Sequence, residues 1–201
     1  MELSRSMNEP DNLTLPSGAP ARLLRWAHDS IAAQLGGAPA RVPTDPWCRQ
    51  LAATFVTLYR DDGLHGCIGS LRATRTLVDD VRQNALAAAF LDPRATSLIL
   101  DDLPRLRVEI SLLSRLQPLA FASESELLVA LRPGVDGVVL RYDTACSTLL
   151  PQVWAKVASP SEFLAELKMK AGLPRSFWSD RLQIERYTVR RYVDGEELVD
   201  G

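Results

Sequence analysis

Apolar residues recur along the chain at two spacings, and the spacing separates predicted helices from predicted strands. Leu23, Trp26, Ala27 and Ile31 have helical spacing and would form the apolar face of the first helix. The predicted helices cover 19–37, 76–92, 123–131, 151–157 and 159–172. Thr76 would cap the second of these helices, and its buried stripe would be Leu77, Val81, Ala85 and Ala88. Ser159 or Ser161 would cap the last helix, and Gly172 would end it. The predicted strands cover 51–60, 64–71, 105–121, 133–143, 144–150 and 181–193, with 105–121 as one long or bent strand.

The segment "DDG" at 61–63 separates the first two strands and predicts a hairpin turn, in which Gly63 would take a positive φ. Hairpins of this kind are followed by separate helices, and the regular strand–helix alternation of a doubly wound sheet is missing. The pattern therefore predicts an α+β fold, with a mostly antiparallel sheet flanked by helices.

The length of 201 residues suits one domain or two closely packed lobes with a sizeable core. Residues 1–17 are polar and contain two prolines, so we expect a loose N-terminal tail. The domain itself is predicted to cover 18–195, and 196–201 would form an acidic C-terminal tail.

Charge and composition exclude several classes of partner. A net charge of -2 and a pI near 5.7 provide no basic surface, so a nucleic-acid partner is not expected. No apolar run is long enough to span a bilayer, and the N-terminus lacks the apolar core of a secretory signal. Cys48, Cys67 and Cys146 are odd in number and widely spaced, which predicts thiols in a reducing cytoplasm rather than disulfides.

The segment "LHGCIGSL" combines a histidine, a cysteine and two glycines within one predicted strand. On a regular strand, His65 and Cys67 share one face, so His65 could activate the Cys67 thiol as a nucleophile. The alternative is an inert cysteine that packs as a small hydrophobic residue. Gly66 and Gly69 would expose backbone N–H groups beside the thiol or allow another element to pack closely. No metal site is predicted, because the other histidine, His28, lies in the first helix.

Four further candidates lie in the next helix and strand. Asn84 could reach into a cleft, or its amide could satisfy a buried backbone group. Asp92 and Arg94, at the end of the predicted helix, could bind a ligand or form an ion pair that fixes the turn. Glu109 could act as a general base, be solvated on a sheet face, or pair with Arg94.

Two candidates belong to the later helices. Gln152 lies at a predicted helix N-terminus, where its side-chain amide could meet a ligand and where anions are favoured. Lys170 is a further candidate ligand contact, although its charge also suits the last turn of a helix.

Six segments in a fixed order resemble one known family. They are "LHGCIGSL", "NALAAAFLDPR" (84–94), "LRVEISLLS" (106–114), "LRPGVDGVVL" (131–140), "LLPQVW" (149–154) and "LKMKAGLPRSFW" (167–178). Over roughly residues 20–192 the sequence resembles the AMMECR-type domain family, known in bacteria as AmmeMemoRadiSam system protein A.

The resemblance implies an α+β fold with a larger and a smaller lobe around a cleft bordered by the glycine–cysteine segment. The biochemical activity of the family is not established, and its bacterial members look like companions of a Memo-type protein and a radical SAM protein. The usual family arginine is replaced by His65 here, so an obligatory Cys–His pair is not expected. The shared property is a cation two positions before the cysteine.

Two hypotheses follow. The first is a binding or accessory component of a Memo and radical SAM modification system, with a ligand cleft near the glycine–cysteine segment. The second is an enzyme that uses Cys67, with His65, on a small acyl, amide or protein substrate. No cofactor is predicted, and no particular oligomeric state is favoured.

Overall fold

The structure, a computed structural model, describes residues 13–196, so most of both predicted tails (1–12 and 197–201) lies outside the described residues. Within this range the helices are α1 Ala19–Gln34, α2 Leu77–Phe90, α3 Glu124–Ala130 and α4 Pro160–Lys170. The strands are β1 Leu51–Ala52, β2 Thr54–Arg60, β3 Gly63–Gly69, β4 Arg75–Thr76, β5 Leu106–Leu113, β6 Gln117–Pro118, β7 Gly137–Tyr142, β8 Ala145–Leu149, β9 Gln183–Tyr187 and β10 Val189–Val193. Short 3₁₀ helices cover Pro46–Arg49, Leu100–Arg105 and Pro151–Lys156.

The α+β prediction is confirmed, and the strands form three sheets within the described residues. Their orders are β1-β4, β10-β5-β2-β3 and β6-β9-β7-β8. The pairs β1–β4, β2–β3, β6–β9, β7–β8 and β7–β9 are antiparallel. Helices lie between and beside these strands along the chain, as expected for hairpins followed by separate helices.

Two predicted strands are each divided in the structure. The segment 105–121 forms β5 and β6, and the segment 181–193 forms β9 and β10, so the single-strand predictions are wrong. Ser114 and Thr188 lie at the two interruptions and bond to each other, with each backbone N–H donating to the other residue at 2.9 Å. The strand before Thr188, β9, belongs to the β6-β9-β7-β8 sheet, and the strand after it, β10, belongs to the β10-β5-β2-β3 sheet.

The described residues divide into two compact units, 13–110 with 192–196, and 111–191. In the first unit α2 packs on β2, β3 and α1. Its predicted apolar stripe is confirmed, because Leu77, Val81, Ala85 and Ala88 are fully buried. The predicted cap is also present, since the Thr76 hydroxyl accepts the Asp79 N–H at 3.4 Å.

The second unit has its own core on the β6-β9-β7-β8 sheet. The core residues are Leu127, Leu131, Val138, Leu140, Trp154, Phe163, Leu164, Leu167, Leu182 and Ile184. Trp154 stacks on Phe163, with ring centroids 3.8 Å apart. The predicted helix 151–157 is a 3₁₀ helix, while α4 begins after the predicted Ser159 cap and ends before Gly172, whose φ is 77°.

The β2–β3 hairpin turn differs from its prediction in one respect. Asp61 and Asp62 carry the positive φ values, 50° and 65°, whereas Gly63 begins the next strand. Two successive central residues with positive φ match the right-handed twist of the flanking strands, which explains the position of the turn.

Among the described residues, no helix combines the length and the apolar character that crossing a bilayer requires.

Candidate functional site

The glycine–cysteine segment forms β3, which is one of the two edge strands of its sheet. Leu58 pairs with Gly66 and Tyr59 pairs with Leu64, so His65 is an extra residue without a partner position on β2. This arrangement is a β-bulge, in which two neighbouring residues can face the same side of the sheet. The alternation on which the prediction rested is therefore interrupted at His65.

His65 points towards the end of α2. It is buried, and its Nε2 lies 3.1 Å from the Ala89 carbonyl oxygen, so this ring nitrogen is the donor. In a continuing helix the Ala89 carbonyl would accept from Pro93, but proline has no N–H. His65 supplies the missing donor and satisfies a helix C-terminal carbonyl from the neighbouring strand.

Cys67 lies on the other side of the sheet. It is directly opposite Thr57 on β2, and the Thr57 hydroxyl donates to the Cys67 sulfur at 3.2 Å. The prediction that His65 and Cys67 share a face is wrong, because the bulge turns His65 towards α2. Proton transfer from Cys67 to His65 has no direct path in this arrangement.

The two glycines allow close packing on both sides of β3. A Cβ atom on Gly66 would lie 2.1 Å from the Ala88 carbonyl oxygen of α2, and one on Gly69 would lie 2.2 Å from the Phe55 ring. Of the two predicted explanations, the structure supports close approach of another element. The N–H of Cys67, between these glycines, is already used by Asp92 rather than exposed for a ligand.

Asp92 and Arg94 connect the end of α2 to this edge strand. The buried Asp92 carboxylate accepts from the Cys67 N–H at 2.8 Å, from the Arg94 N–H at 2.9 Å and from the Arg94 guanidinium at 2.7 and 2.9 Å. These bonds hold the pKa of Asp92 well below its usual range, and the hydrogen bonds from the Arg94 guanidinium have the largest effect. Burial acts in the opposite direction. The pair fixes the turn, which was one of the two predicted alternatives.

Arg94 also brings a positive charge close to Cys67. The hydrogen bonds with Asp92 raise the pKa of the Arg94 guanidinium, and Cys67 adds to this effect electrostatically. About half of the Arg94 side chain is exposed, whereas Asp92 is buried. The cation that accompanies Cys67 is thus Arg94 rather than His65.

Asn84 belongs to a buried polar cluster between α2 and the β2–β3 hairpin. Its Nδ2 donates to the Thr54 carbonyl oxygen and to the Asp80 carboxylate, both at 2.9 Å. Asp80 also accepts from Thr54, Ser70 and Arg75. Asn84 therefore satisfies buried groups, which is the second of its predicted alternatives.

The remaining candidates lie in other surroundings. Glu109 is buried on β5, an inner strand with neighbours on both sides, so the predicted solvated position is wrong. Arg94, its predicted partner, bonds to Asp92 instead.

Gln152 donates to the Ser111 hydroxyl at 3.2 Å, and Lys170, at the end of α4, donates to the Thr148 carbonyl oxygen at 2.9 Å. Their roles as ligand contacts stay predictions.

The structure thus brings together Cys67, Asp92 and Arg94, and it adds Thr57, which no sequence pattern indicated. Thr57 could be found only once the hairpin register was known. Asp80 was also missed, although its position four residues before Asn84 places both on one helix face.

In the part of the chain that the structure describes, no group of three or more His, Cys, Asp or Glu side chains could hold a metal ion.

Proteins from several archaea and bacteria, and a solved structure, are similar to this chain. A protein from Methanothermobacter thermautotrophicus is 34% identical over 172 residues, which is 82% of this chain and 88% of that protein. A protein from Thermotoga maritima is 37% identical over 153 residues, which is 75% of this chain and 82% of that protein. Protein MJ0810 from Methanocaldococcus jannaschii is 30% identical over 189 residues, covering 92% and 93% of the two chains.

The fold has a counterpart in the crystal structure of the uncharacterised protein PH0010 from Pyrococcus horikoshii. The two structures superpose with a TM-score of 0.77 at 29% sequence identity, over 85% of this chain and 88% of that chain. The AMMECR1 family profile matches residues 24–192, which is most of the chain. Together with the relatives above, this match shows that the chain belongs to the AMMECR1 family.

Proposed function

We propose that this AMMECR1-family chain is a non-catalytic binding component of a protein-modification system. Its proposed partners are a Memo-type protein and a radical SAM protein, the companions that the family resemblance implies. The proposed contact surface is the β3 edge, with Cys67 and the exposed part of Arg94 facing the partner.

The observation that supports a non-catalytic role is the separation of His65 from Cys67. His65 is buried and bonded to the Ala89 carbonyl oxygen, while the Cys67 sulfur accepts from Thr57 on the other face. Asp92, which could otherwise supply acid–base chemistry, is bonded to the Cys67 N–H and to Arg94. A surface for binding requires none of these groups to transfer a proton.

The test uses Cys67 as a probe of the contact surface. In a Cys146→Ser background, Cys67→Ser is expected to bind the Memo-type protein from the same genome with a Kd within about twofold of the parent. Attachment of a maleimide to Cys67 in the same background is expected to weaken binding at least about tenfold, because the added group would occupy the contact. Isothermal titration calorimetry measures both.

The remaining thiol provides an internal control. Cys48 is fully buried, and burial raises the pKa of its thiol, so it is expected to stay unmodified in the folded protein. Loss of partner binding in Cys67→Ser would contradict the proposal, and so would full binding after maleimide attachment.

One observation favours the second candidate function, an enzyme with Cys67 as nucleophile. The half-buried sulfur accepts a hydrogen bond from the Thr57 hydroxyl, and a donor to sulfur stabilises the thiolate form that a nucleophile needs. In an acyl transfer, the sulfur would bond to the acyl carbon and the amine would leave with a proton. Water would then release the acid and restore the thiol.

Alkylation by iodoacetamide as a function of pH separates the two candidates. Peptide-resolved mass spectrometry follows Cys67 beside Cys48, which is buried, and Cys146, which is exposed. The enzyme is supported if Cys67 reacts faster than both and titrates clearly below about 8.5. A Cys67 that reacts more slowly than Cys146 at every pH would contradict the nucleophile and favour the binding component.

A further inference from the structure

The outer face of α2 carries apolar side chains that the fold does not bury. Leu86 and Ala87 are half-buried, Phe90 is exposed, and Leu91 is 76% exposed. These four residues, here termed the α2 outer patch, line a groove of about 590 Å³. Gln34, Arg75, Gln83 and Asn84 complete its lining.

Packing within the first unit does not require this patch. The buried stripe of α2 consists of Leu77, Val81, Ala85 and Ala88, which face β2, β3 and α1. Leu86 and Phe90 are four residues apart and form a second apolar row on a different face. Exposed apolar residues that cluster on one helix face indicate a surface for another molecule.

The charges around the patch are mainly guanidinium groups. Arg75 lines the groove, Arg82 precedes Leu86 by one helical turn, and Arg94 follows closely after Leu91. The carboxylates that pair with Arg75 and Arg94 are buried, so the arginines present the exposed charge of each pair. Asp79 is exposed, but it lies at the far N-terminal turn and accepts from the Thr76 hydroxyl at 2.5 Å.

We propose that the α2 outer patch docks a segment of a partner protein that presents apolar side chains flanked by carboxylates. The apolar row would bury Phe90 and Leu91, and the carboxylates would pair with Arg75, Arg82 and Arg94. This inference rests on the proposed function and deepens it, because it assigns the chemistry of the docking segment. Leu91 directly precedes Asp92, which bonds to Cys67, so the partner would lie beside the β3 edge.

The probe is a designed helical peptide with one stripe of leucines flanked by glutamates. A counterpart carries lysines in place of the glutamates and is otherwise identical. We expect the acidic peptide to bind the ¹⁵N-labelled chain at least about tenfold more tightly than the basic one, with chemical-shift changes centred on 86–91.

Two variants test the patch itself. Leu91→Gln removes the exposed apolar contact without adding charge at a helix end, and it is expected to weaken binding of the acidic peptide at least about fivefold. Val129→Gln is the matched control, because Val129 is also a large aliphatic residue at 87% exposure, on α3. Arg82→Glu is expected to reduce the preference for the acidic peptide, and within residues 13–196 Arg82 makes no ion pair that this change would break.

Several results would overturn the inference. These are equal affinity for both peptides, binding of neither, shifts centred outside 86–91, or equal effects of Leu91→Gln and Val129→Gln. Self-association of the chain that Leu91→Gln abolishes would identify a second copy as the occupant and would also overturn it. If the peptide results hold but the Memo-type protein does not bind, the docking chemistry stands and the partner named under the proposed function is wrong.

Discussion

Each of the two units contains a buried aspartate bonded to a half-exposed arginine, and the two pairs are used differently. Asp136 accepts from the backbone and guanidinium of Arg132, four residues earlier, and so closes its own turn. Asp92 bonds in the same way to Arg94, but it also accepts from the Cys67 N–H, which is 25 residues away. Asp136 has one long-range contact, with the Arg186 guanidinium on β9 at 3.9 Å, but its hydrogen bonds are local. The same side-chain pair thus serves mainly turn geometry in one unit and bonds a helix end to an edge strand in the other.

The glycines near the two aspartates differ in a similar way. A Cβ atom on Gly137 would lie 2.4 Å from the Tyr187 ring, whereas one on Gly66 would lie 2.1 Å from a backbone oxygen of α2. Displacing the buried Tyr187 ring moves one side chain, whereas displacing a helix backbone moves the whole helix. The contact of β3 with α2 is therefore the less tolerant of the two.

The largest expected effect comes from adding one methyl group at each glycine. Gly66→Ala is expected to lower the free energy of unfolding by about 3 kcal/mol, because α2 must move away from β3. Gly137→Ala is expected to cost less, about 2 kcal/mol, because only the buried Tyr187 side chain has to move. Urea unfolding of the two variants measures the difference, and equal losses would remove the distinction between backbone and ring contacts.

The next largest effect is expected from neutralising the aspartates. Asp92→Asn is expected to lower the free energy of unfolding by about 2 kcal/mol at pH 7, because it weakens four hydrogen bonds to a buried carboxylate. Asp136→Asn should cost a similar amount. Only Asp92→Asn should speed hydrogen exchange at the Cys67 amide, because Asp136 has no bond to it.

The Asp92 contribution should also depend on pH. The folded protein holds the pKa of Asp92 below its unfolded value, so the contribution is complete above about pH 4 and is lost as the pH falls further. The stability difference between the parent and Asp92→Asn should accordingly shrink between about pH 4 and pH 2. A difference that stays constant over this range would show that the carboxylate charge is not what stabilises the contact.

The smallest effect is expected at His65. His65→Leu should cost about 1 kcal/mol, because the Ala89 carbonyl loses its donor, while His65→Arg should retain most of the stability. An arginine there can donate to the same carbonyl, and its charge suits a helix C-terminus. The alkylation profile of Cys67 should be unchanged in both variants, and a profile altered by His65→Leu would restore the Cys–His hypothesis.

Much of the fold was predictable because it depends on local patterns. The stripe of α2, its Thr76 cap and the stop at Gly172 each follow from a few neighbouring residues, and each is found. The interruptions at Ser114 and Thr188 were not predicted, because those residues bond across 74 positions. The buried position of Glu109 likewise depends on what packs against its face of the sheet, which the sequence of β5 does not reveal.

The candidate site was predicted less well than the fold. Cys67, Asp92 and Arg94 were selected from the sequence, and they do lie together. The predicted relation of Cys67 to His65 failed because a bulge adds a residue to one strand only, and this leaves no mark on the alternation of apolar and polar residues. Tertiary pairing therefore decides which face each side chain occupies.

The Ala89 carbonyl, which Pro93 leaves without a helix donor, has a consequence for folding. The last turn of α2 is complete only when β3 supplies His65, and the Cys67 amide is covered only when α2 supplies Asp92. Helix and hairpin therefore depend on each other for their final hydrogen bonds, and neither is expected to open alone. In native-state hydrogen exchange, the amides of β3 and of the last turns of α2 should be released together, as one cooperative unit.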